Sequence, residues 1–575
     1  MALLSRRTAL LLLVVIVLAS FAVRYPLVEH ERNQTDSYYI HILSESILAN
    51  DHAKWTYHPL SYFGYYPFSY PSGNSFLIAE ISDLTGLTLE TSILAFDMAL
   101  ALLLCLAVFM LSRQFIKQTS VVLLATFFTV MGARFVDTSY WDASARATIV
   151  VLVLLGTATL FRASLTSQRA LIPIALLFVL GSFATHHMAV LILLFGAGYL
   201  VATVQSGYIF RRIRRHKLAW AASINSLVGL SLIMVTFGAT GLLGDATYTS
   251  FEKTSLFDID PPFLSVILNL AASYVSQIGF IFVFALLGIP HVLRRSRLNT
   301  EVLFLVAILL VFIPVLGNSL YVSMLLSPFV AILGTIWISS LLGRKRVMKI
   351  GVVLVGFLIA SSIFLPLWSS DRWNEREYMS GDLVEVDSRV FNDCAYLRVY
   401  YDDECAISNV NVMAQQLAAI SGIDVLASGV QVAINGDVLE QDVRENLTWS
   451  SHQFPYNLYR WYEYRDEPNV DFYVLAFMAD GSRTISLASS ESPLGNYFAK
   501  HPKLLVAIDN DQRHRFISMY SNINARLPAE LENARYLLQY SGVSRVMELD
   551  SYKIYCSEKV SLYALQMPEA VGPYG

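Results

Sequence analysis

Long uncharged apolar blocks constrain this chain more than any other feature of its sequence. Up to about residue 368, the apolar residues form blocks of 16–27 residues that are almost free of charge. A helix of that length crosses a hydrocarbon core about 30 Å thick. The composition agrees, since 55% of the residues are hydrophobic and 15% are charged, which is too apolar for an ordinary soluble enzyme. The sequence therefore predicts a polytopic α-helical membrane protein.

The chain divides near residue 368 into two predicted domains. Residues 1–368 hold the apolar blocks, whereas 369–575 contain none and carry 29 acidic against 17 basic residues. We therefore expect a transmembrane domain over 1–368, with a long outer loop at 25–90, and a soluble extracytoplasmic domain over 369–575. About 11 spans are predicted, near 8–24, 91–112, 119–133, 146–162, 170–185, 188–206, 218–243, 263–289, 300–317, 319–342 and 347–368.

The basic residues of the loops predict the orientation in the membrane. One alternating set of loops holds 18 Lys and Arg residues, and the other set holds 6. Basic residues collect in cytoplasmic loops, so the amino terminus is predicted inside and the carboxy-terminal domain outside a cell membrane that the chain crosses many times. An alternative for the first block is a cleaved signal peptide, because Arg6 and Arg7 precede an apolar run that ends in small residues.

The segment 369–575 shows alternating helical and strand-like patterns. Residues 472–477 and 504–508 are apolar runs typical of buried strands, and 527–540 has the apolar spacing of a helix. This mixture predicts an α+β or α/β domain. Cys394 and Cys405 fall in this segment, and the sequence leaves open whether they form a disulfide.

Ionisable residues collect in the predicted outer loops and are scarce inside the spans, where Asp97 is the main exception. Charge inside a span is typical of an ion or proton pathway. Its scarcity favours chemistry at the outer membrane surface over transport across it. A secondary transporter or a non-catalytic membrane scaffold is the alternative of a different class. No nucleic-acid partner is predicted.

The first outer loop carries a recognisable succession of motifs. It opens with Asp36-Ser37-Tyr38-Tyr39, continues through a stretch rich in Tyr and Pro, and ends in Leu84-Thr85-Gly86-Leu87. A first inside-to-outside helix followed by such a loop is similar to the GT-C superfamily, the multi-spanning glycosyltransferases that use polyprenyl-phosphate sugar donors. Archaeal and bacterial relatives of the oligosaccharyltransferase catalytic subunit look nearest. The resemblance implies a GT-C-like transmembrane domain, a polyprenyl-phosphate donor, contact with membrane lipid and an unspecified acceptor.

The same resemblance implies roles for three carboxylates. Asp36 falls on the family's first-loop aspartate, Asp142 on the first residue of its second acidic motif, and Glu252 in an outer loop that carries an essential glutamate. Asp36 and Glu252 are predicted to be catalytic, with Asp36 as a general base. Asp36 and Asp142 are predicted ligands of a divalent metal, Mg²⁺ or Mn²⁺. The alternative for Asp36 is a helix N-cap, a position that Asp favours.

Four residues are predicted to bind the substrate. A departing phosphate needs cations, which Arg146 and the neighbouring His186 and His187 can supply. Tyr38, in the aromatic first loop, is predicted to line a platform for the lipid or the ring-shaped part of the substrate. The alternative for Arg146 is a membrane-edge residue whose charge reaches the interface, and the aromatic residues also fit an interfacial belt.

Two departures from the family pattern bear on the reaction. Ala143 and Ser144 follow Asp142, so the second carboxylate of the acidic motif is missing, and the Trp-Trp-Asp motif of the family is absent. Transfer of a single sugar to a lipid, glycan or protein acceptor is therefore the prediction. Oligosaccharyltransferase-like protein N-glycosylation is the alternative.

Overall fold

The computed structural model describes the chain in separate segments, and helices and strands are numbered in chain order within them. The chain forms two compact units: Met1–Leu27 with Leu94–Tyr378, and Val28–Ile93 with Met379–Gly575. The described residues are 5–26, 30–31, 37–50, 72–166, 168–206, 262–295, 300–316, 319–343, 347–375, 388–400, 405–408, 416–422, 424–425, 473–478, 485–487, 503–509, 535–540, 545–547, 551–556 and 560–566.

Helices dominate the described residues. Two short 3₁₀ turns, His187–Leu191 and Ile313–Val315, and one π turn, Leu417–Ser421, accompany them. The α-helices are α1 (Arg6–Arg24), α2 (Ser37–Asn50), α3 (Gly73–Thr85), α4 (Leu89–Phe115), α5 (Thr119–Val130), α6 (Ala133–Asp137), α7 (Ala145–Thr166), α8 (Leu171–Thr185), α9 (Ile192–Val204), α10 (Pro262–Ile278), α11 (Ile281–Arg295), α12 (Thr300–Val311), α13 (Ser319–Leu342), α14 (Met348–Glu375) and α15 (Ser388–Tyr400).

Apolar helices fill the first unit. Within the described residues, the five helices α1, α4, α7, α13 and α14 are long and apolar enough to cross a membrane, and α10 with α11 passes the same test as a pair. Shorter apolar helices include α5, α8, α9 and α12. Each coincides with a predicted span, whereas the predicted span 218–243 lies outside the described residues. The helices support a multi-pass membrane protein, and the total of about 11 spans and the orientation stay predictions.

One predicted span is not a continuous helix. Where a single helix was predicted over 263–289, Leu268–Ile278 and Ile281–Leu293 meet at an angle of 105°. Gly279 stands at the break with φ 98°, a backbone conformation that L side chains rarely adopt. Both halves are apolar, so hydropathy alone did not indicate the bend.

Close helix packing forms part of the core of the first unit. Residues 322–335 of α13 are buried without interruption. α11 lies against α13 at Gly288, where a Cβ atom would collide with the backbone carbonyl of Leu333. Inside a membrane, lipid tails are as apolar as the side chains, so no hydrophobic driving force brings helices together. Small residues let the helix backbones approach closely and pack. Gly288 therefore permits the α11–α13 contact.

The second unit combines α2, α3, α15 and the described strands. Cys394 in α15 carries a free, buried thiol, so it does not pair with Cys405. The strands are β1 (Cys405–Ser408), β2 (Asp424–Val425), β3 (Tyr473–Met478), β4 (Ile485–Leu487), β5 (Lys503–Asp509), β6 (Arg535–Tyr540), β7 (Arg545–Met547), β8 (Ser551–Cys556) and β9 (Val560–Gln566).

Five of these strands form one mixed sheet in the order β2-β1-β5-β9-β8. β1 pairs in parallel with β2 and β5, whereas β9 pairs antiparallel with β5 and β8. The strands predicted over 472–477 and 504–508 are present as β3 and β5. The helix predicted over 527–540 is wrong in its last six residues, because Arg535–Tyr540 is a strand that pairs antiparallel with β3. Pairing with an apolar strand outweighs local helical spacing there.

Candidate functional site

The structure describes four of the seven predicted site residues. The roles of the other three stay predictions. The backbone of His187, one of the three, begins the 3₁₀ turn after α8. Described are Asp142, Arg146 and His186 in the first unit and Tyr38 in the second; Asp36, Glu252 and the side chain of His187 lie outside the described residues.

Asp142 lies on a strained turn between α6 and α7. Trp141, directly before it, has φ 49°, in the left-handed region that bulky side chains rarely adopt. The backbone N–H of Ser144 donates to the carbonyl oxygen of Asp142 at 2.6 Å. A residue strained in this way costs about 1–3 kcal/mol and persists only where the surrounding structure holds it, as at many functional sites. The turn at Asp142 is therefore a candidate for function.

A second carboxylate lies beside Asp142. The backbone N–H of Asp142 donates to Asp97 Oδ2 at 2.8 Å. Asp97 is 0% exposed and Asp142 is 1% exposed. Asp97 comes from α4, so the two aspartates meet only in the folded chain. Sequence reasoning missed its place in the site, although a lone carboxylate in a predicted span was the signal that marked it.

The ring of Tyr321, in α13, brings Arg146 and His186 together. Arg146 Cζ lies 5.4 Å from the centroid of the Tyr321 ring, within cation–π range. The His186 ring centroid also lies 5.4 Å from that centroid, at 65° to its plane. Arg146 and His186 are both buried. The two described residues that were predicted to bind phosphate thus contact the same aromatic ring.

A backbone hydrogen bond sets the tautomer of neutral His186. Its Nδ1 accepts from the backbone N–H of Met188 at 2.9 Å. A neutral imidazole carries one proton, which must then sit on Nε2. Neutral His186 therefore carries its one ring donor at Nε2.

Arg134, in α6, adds a cation that sequence reasoning missed. Its Nη1 donates to Asp137 Oδ2 at 2.7 Å, and the side chain is buried. Burial lowers the pKa of Arg134; the charge of Asp137 raises it, that of Arg146 lowers it, and Tyr321 and Asp142 raise it. Among the described residues, its Nε has no hydrogen-bond partner. A bound anion would offset both the burial and the repulsion between the two arginines.

Arg134, Arg146, His186 and Tyr321 together form what we call the basic cluster. Guanidinium groups bind phosphate through paired, charge-assisted hydrogen bonds, which are about twice as strong as neutral ones. Arg134 and Arg146 flank one predicted outer loop, a sequence signal that could have found Arg134 as well. Tyr321 had no such signal. The basic cluster is chemically suited to a ligand that bears phosphate.

The two buried carboxylates, Asp97 and Asp142, are candidate ligands for the predicted metal. Asp97 and Asp142 supply oxygen atoms of the kind that Mg²⁺ and Mn²⁺ bind. Within the described part of the chain, no group of three or more His, Cys, Asp and Glu side chains is placed to hold a metal ion. These residues do not complete a metal site, and metal binding by Asp36 and Asp142 stays a prediction.

The second unit carries a buried ion pair between Glu31 and His41, which lie before and after Asp36 in the sequence. Glu31 Oε1 and Oε2 both lie 3.0 Å from His41 Nδ1. The Tyr38 hydroxyl donates to the Glu31 carbonyl oxygen at 3.4 Å, and Tyr38 is 1% exposed. Its role in substrate binding stays a prediction. The pair ties the chain before Asp36 to α2, which begins at Ser37.

Neighbouring charges shift the titration of this pair. Burial raises the pKa of Glu31, against the lowering effect of His41. Burial lowers the pKa of His41, but the charge and hydrogen bond of Glu31, with the charges of Glu45 and Glu90, raise it overall above 6.5. Glu90 Oε1 also accepts from the Glu31 backbone N–H at 3.0 Å and lies 3.2 Å from His30 Nδ1. The pair is thus part of a wider network whose other members, His30 and Glu90, are partly exposed.

Comparison with known proteins bears on the fold. No protein-family model matches the chain, and no curated protein does. The Archaeoglobus fulgidus oligosaccharyltransferase in complex with zinc and sulfate matches with a TM-score of 0.52 and 12% identity, over 85% of this chain and 69% of that chain. The same enzyme tethered to an acceptor peptide matches with a TM-score of 0.52 and 13% identity, over 83% and 70%. The chain has the GT-C fold.

The GT-C fold confirms the resemblance that the motifs of the first outer loop indicated. ArnT from Cupriavidus metallidurans, bound to undecaprenyl phosphate, matches with a TM-score of 0.49 and 12% identity, over 96% of this chain and 97% of that chain. The 12–13% identities to the oligosaccharyltransferase structures limit the likeness to the fold.

Proposed function

We propose that this chain is a glycosyltransferase that moves a sugar from a polyprenyl-phosphate-linked donor to a lipid, glycan or protein acceptor at the outer membrane face. The observation that carries the proposal is the basic cluster, in which buried Arg146 and His186 lie against the Tyr321 ring and the charge of buried Arg134 interacts with Arg146 and Tyr321. The charge of Asp142 acts on Arg134 of that cluster. The GT-C fold supports the same reaction class.

The basic cluster binds the donor phosphate in this proposal. As the bond between the anomeric carbon and the phosphate oxygen breaks, that oxygen gains negative charge. Arg134 and Arg146 stabilise the charge, and Nε2–H of His186 donates to it. Donors already in place inside a buried site need no reorganisation during the reaction, so they stabilise the transition state more than water does.

A carboxylate activates the acceptor in this proposal. Asp36 takes the proton from the acceptor hydroxyl or polarises an acceptor amide, as a general base does. Glu252 is the second candidate for this role. Both lie outside the described residues, so their assignment rests on the motifs of the sequence. Asp142 balances the positive charge of Arg134 and Arg146, which is a role its position supports.

The reaction is testable with purified full-length protein and a panel of polyprenyl-phosphate sugars, by measuring the release of free polyprenyl phosphate. Arg146→Leu removes one cation from the basic cluster and keeps an apolar side chain. We expect transfer to fall by about tenfold or more, because a hydrogen bond to a charged group contributes about 1.5–3 kcal/mol and 1.4 kcal/mol is a factor of ten.

Arg113→Leu is the matched control. Arg113 is an exposed arginine whose Nη1 donates to the Lys117 carbonyl oxygen at 2.9 Å. Its loss should leave transfer nearly unchanged, since surface substitutions change little. No release from any donor by folded wild-type protein would overturn the proposed function. Equal activity of the Arg146→Leu and Arg113→Leu variants would remove the basic cluster from the mechanism.

A further inference from the structure

Arg24, at the end of α1, is completely buried and is hydrogen-bonded to the turn that carries Asp142. Its Nε donates to Ser139 Oγ at 2.7 Å. Its Nη1 donates to Ser20 Oγ at 2.7 Å, and its Nη2 donates to the Val130 carbonyl oxygen at 3.0 Å. The guanidinium therefore joins α1, the end of α5 and the start of the turn. It is 0% exposed.

Asp97 holds the other end of the same turn. Its Oδ2 accepts from the Asp142 backbone N–H at 2.8 Å, and its charge acts on Arg24. The turn from Ser139 to Asp142 is thus fixed at both ends by buried side chains of opposite charge. The strained residue Trp141 lies between the two attachment points.

Stability alone does not account for this arrangement. Removing charges from water is costly, so charged side chains that are buried this deeply contribute little net stability by themselves. Strained backbone also needs surroundings that over-determine it. Both facts fit two charged residues, Arg24 and Asp97, whose role is to define where the turn lies.

We propose that Arg24 and Asp97 are positioning residues that hold the turn from Ser139 to Asp142, and with it the Asp142 carboxylate, beside the basic cluster. The inference rests on the proposed function, in which Asp142 balances the charge of Arg134. Arg24 acts through the Ser139 hydroxyl, and Asp97 acts through the backbone N–H of Asp142. Neither residue needs to contact the substrate.

Two substitutions of Asp97 separate positioning from charge. Asp97→Asn keeps an oxygen that accepts from Asp142, whereas Asp97→Leu removes it. We expect Asp97→Leu to lower kcat by about tenfold to 100-fold, because a misplacement of about 1 Å at a site can cost that much. The KM for the donor should change less than about twofold, since the basic cluster is intact. Asp97→Asn should restore most of kcat.

A second measurement follows the turn without activity. Asp142→Cys places a thiol at a position that is 1% exposed, so a water-soluble maleimide should modify it slowly. Adding Asp97→Leu or Ser139→Ala should raise that rate by about tenfold, as expected when local opening becomes easier by 1.4 kcal/mol. Thr126→Val is the control, because it removes a buried hydroxyl that donates to the Val122 carbonyl oxygen away from the turn.

The labelling rate and kcat can each overturn the positioning role of Arg24 and Asp97. Unchanged labelling with both Asp97→Leu and Ser139→Ala overturns it, whatever the activity. So does a kcat of Asp97→Asn as low as that of Asp97→Leu. If Asp97→Leu does not fold, Ser139→Ala alone carries the labelling test, since it removes only one hydroxyl. A fully active Asp142→Asn variant would instead remove Asp142 from the proposed function, and faster labelling would still support the positioning.

Discussion

Replacing Glu31 tests how strongly the buried Glu31–His41 ion pair stabilises the folded protein. Both Glu31 oxygens lie 3.0 Å from His41 Nδ1, and the side chains of Glu31 and His41 are 1% and 9% exposed. Glu31→Ala removes the partner of a buried histidine. Glu31→Gln keeps an oxygen acceptor and removes only the charge. The two variants therefore separate the loss of the contact from the loss of the charge.

Burial determines the expected size of each effect. Exposed ion pairs contribute about 0–1 kcal/mol, whereas removing one partner of a buried pair costs about 3–5 kcal/mol. We therefore expect Glu31→Ala to lower the free energy of unfolding by about 3–5 kcal/mol. Glu31→Gln should lower it by about 1–2 kcal/mol, because a charged hydrogen bond is replaced by a neutral one.

Thermal unfolding of the purified full-length protein in detergent ranks these variants by Tm. Glu80→Gln is the matched control, because Glu80 is an exposed carboxylate of α3, and its loss should cost at most about 0.5 kcal/mol. The double variant Glu31→Gln/His41→Gln completes a cycle with an expected coupling energy of about 0.5–3 kcal/mol. An unfolding temperature of Glu31→Ala equal to that of Glu80→Gln would refute the reasoning.

Three further predictions concern pH, packing and topology. Wild type should be more stable than His41→Gln below pH 6.5, and this difference should be lost as pH rises through the raised pKa of His41. The reason is that the folded state binds the His41 proton more tightly than the unfolded state does. Tm measured across this range checks the prediction. Gly288→Ala should lower the free energy of unfolding by about 1–3 kcal/mol through overpacking, whereas Gly356→Ala, whose added Cβ meets open space, should be nearly silent in the same Tm assay. A cysteine placed at Ser380 should react with an impermeant thiol reagent from the outer side, and reaction only from the cytoplasm would contradict the orientation.

The sequence by itself determined where several long apolar helices lie. The predicted spans 91–112, 146–162 and 319–342 coincide with α4, α7 and α13 to within a few residues. This succeeds because the apolar length needed to cross a bilayer is a property of each segment alone. The sequence also placed Asp142 and Arg146 in one short loop, so their proximity needed no knowledge of distant contacts.

Only the tertiary structure decided which other polar residues join them. Asp97 reaches Asp142 from α4, and Tyr321 reaches Arg146 from α13. The strand β6 likewise follows its partner β3 rather than its own helical spacing. Hydropathy describes one segment at a time, whereas hydrogen bonds, cation–π contacts and strand pairs act through space between residues far apart in the chain. Those contacts appear only when the helices pack.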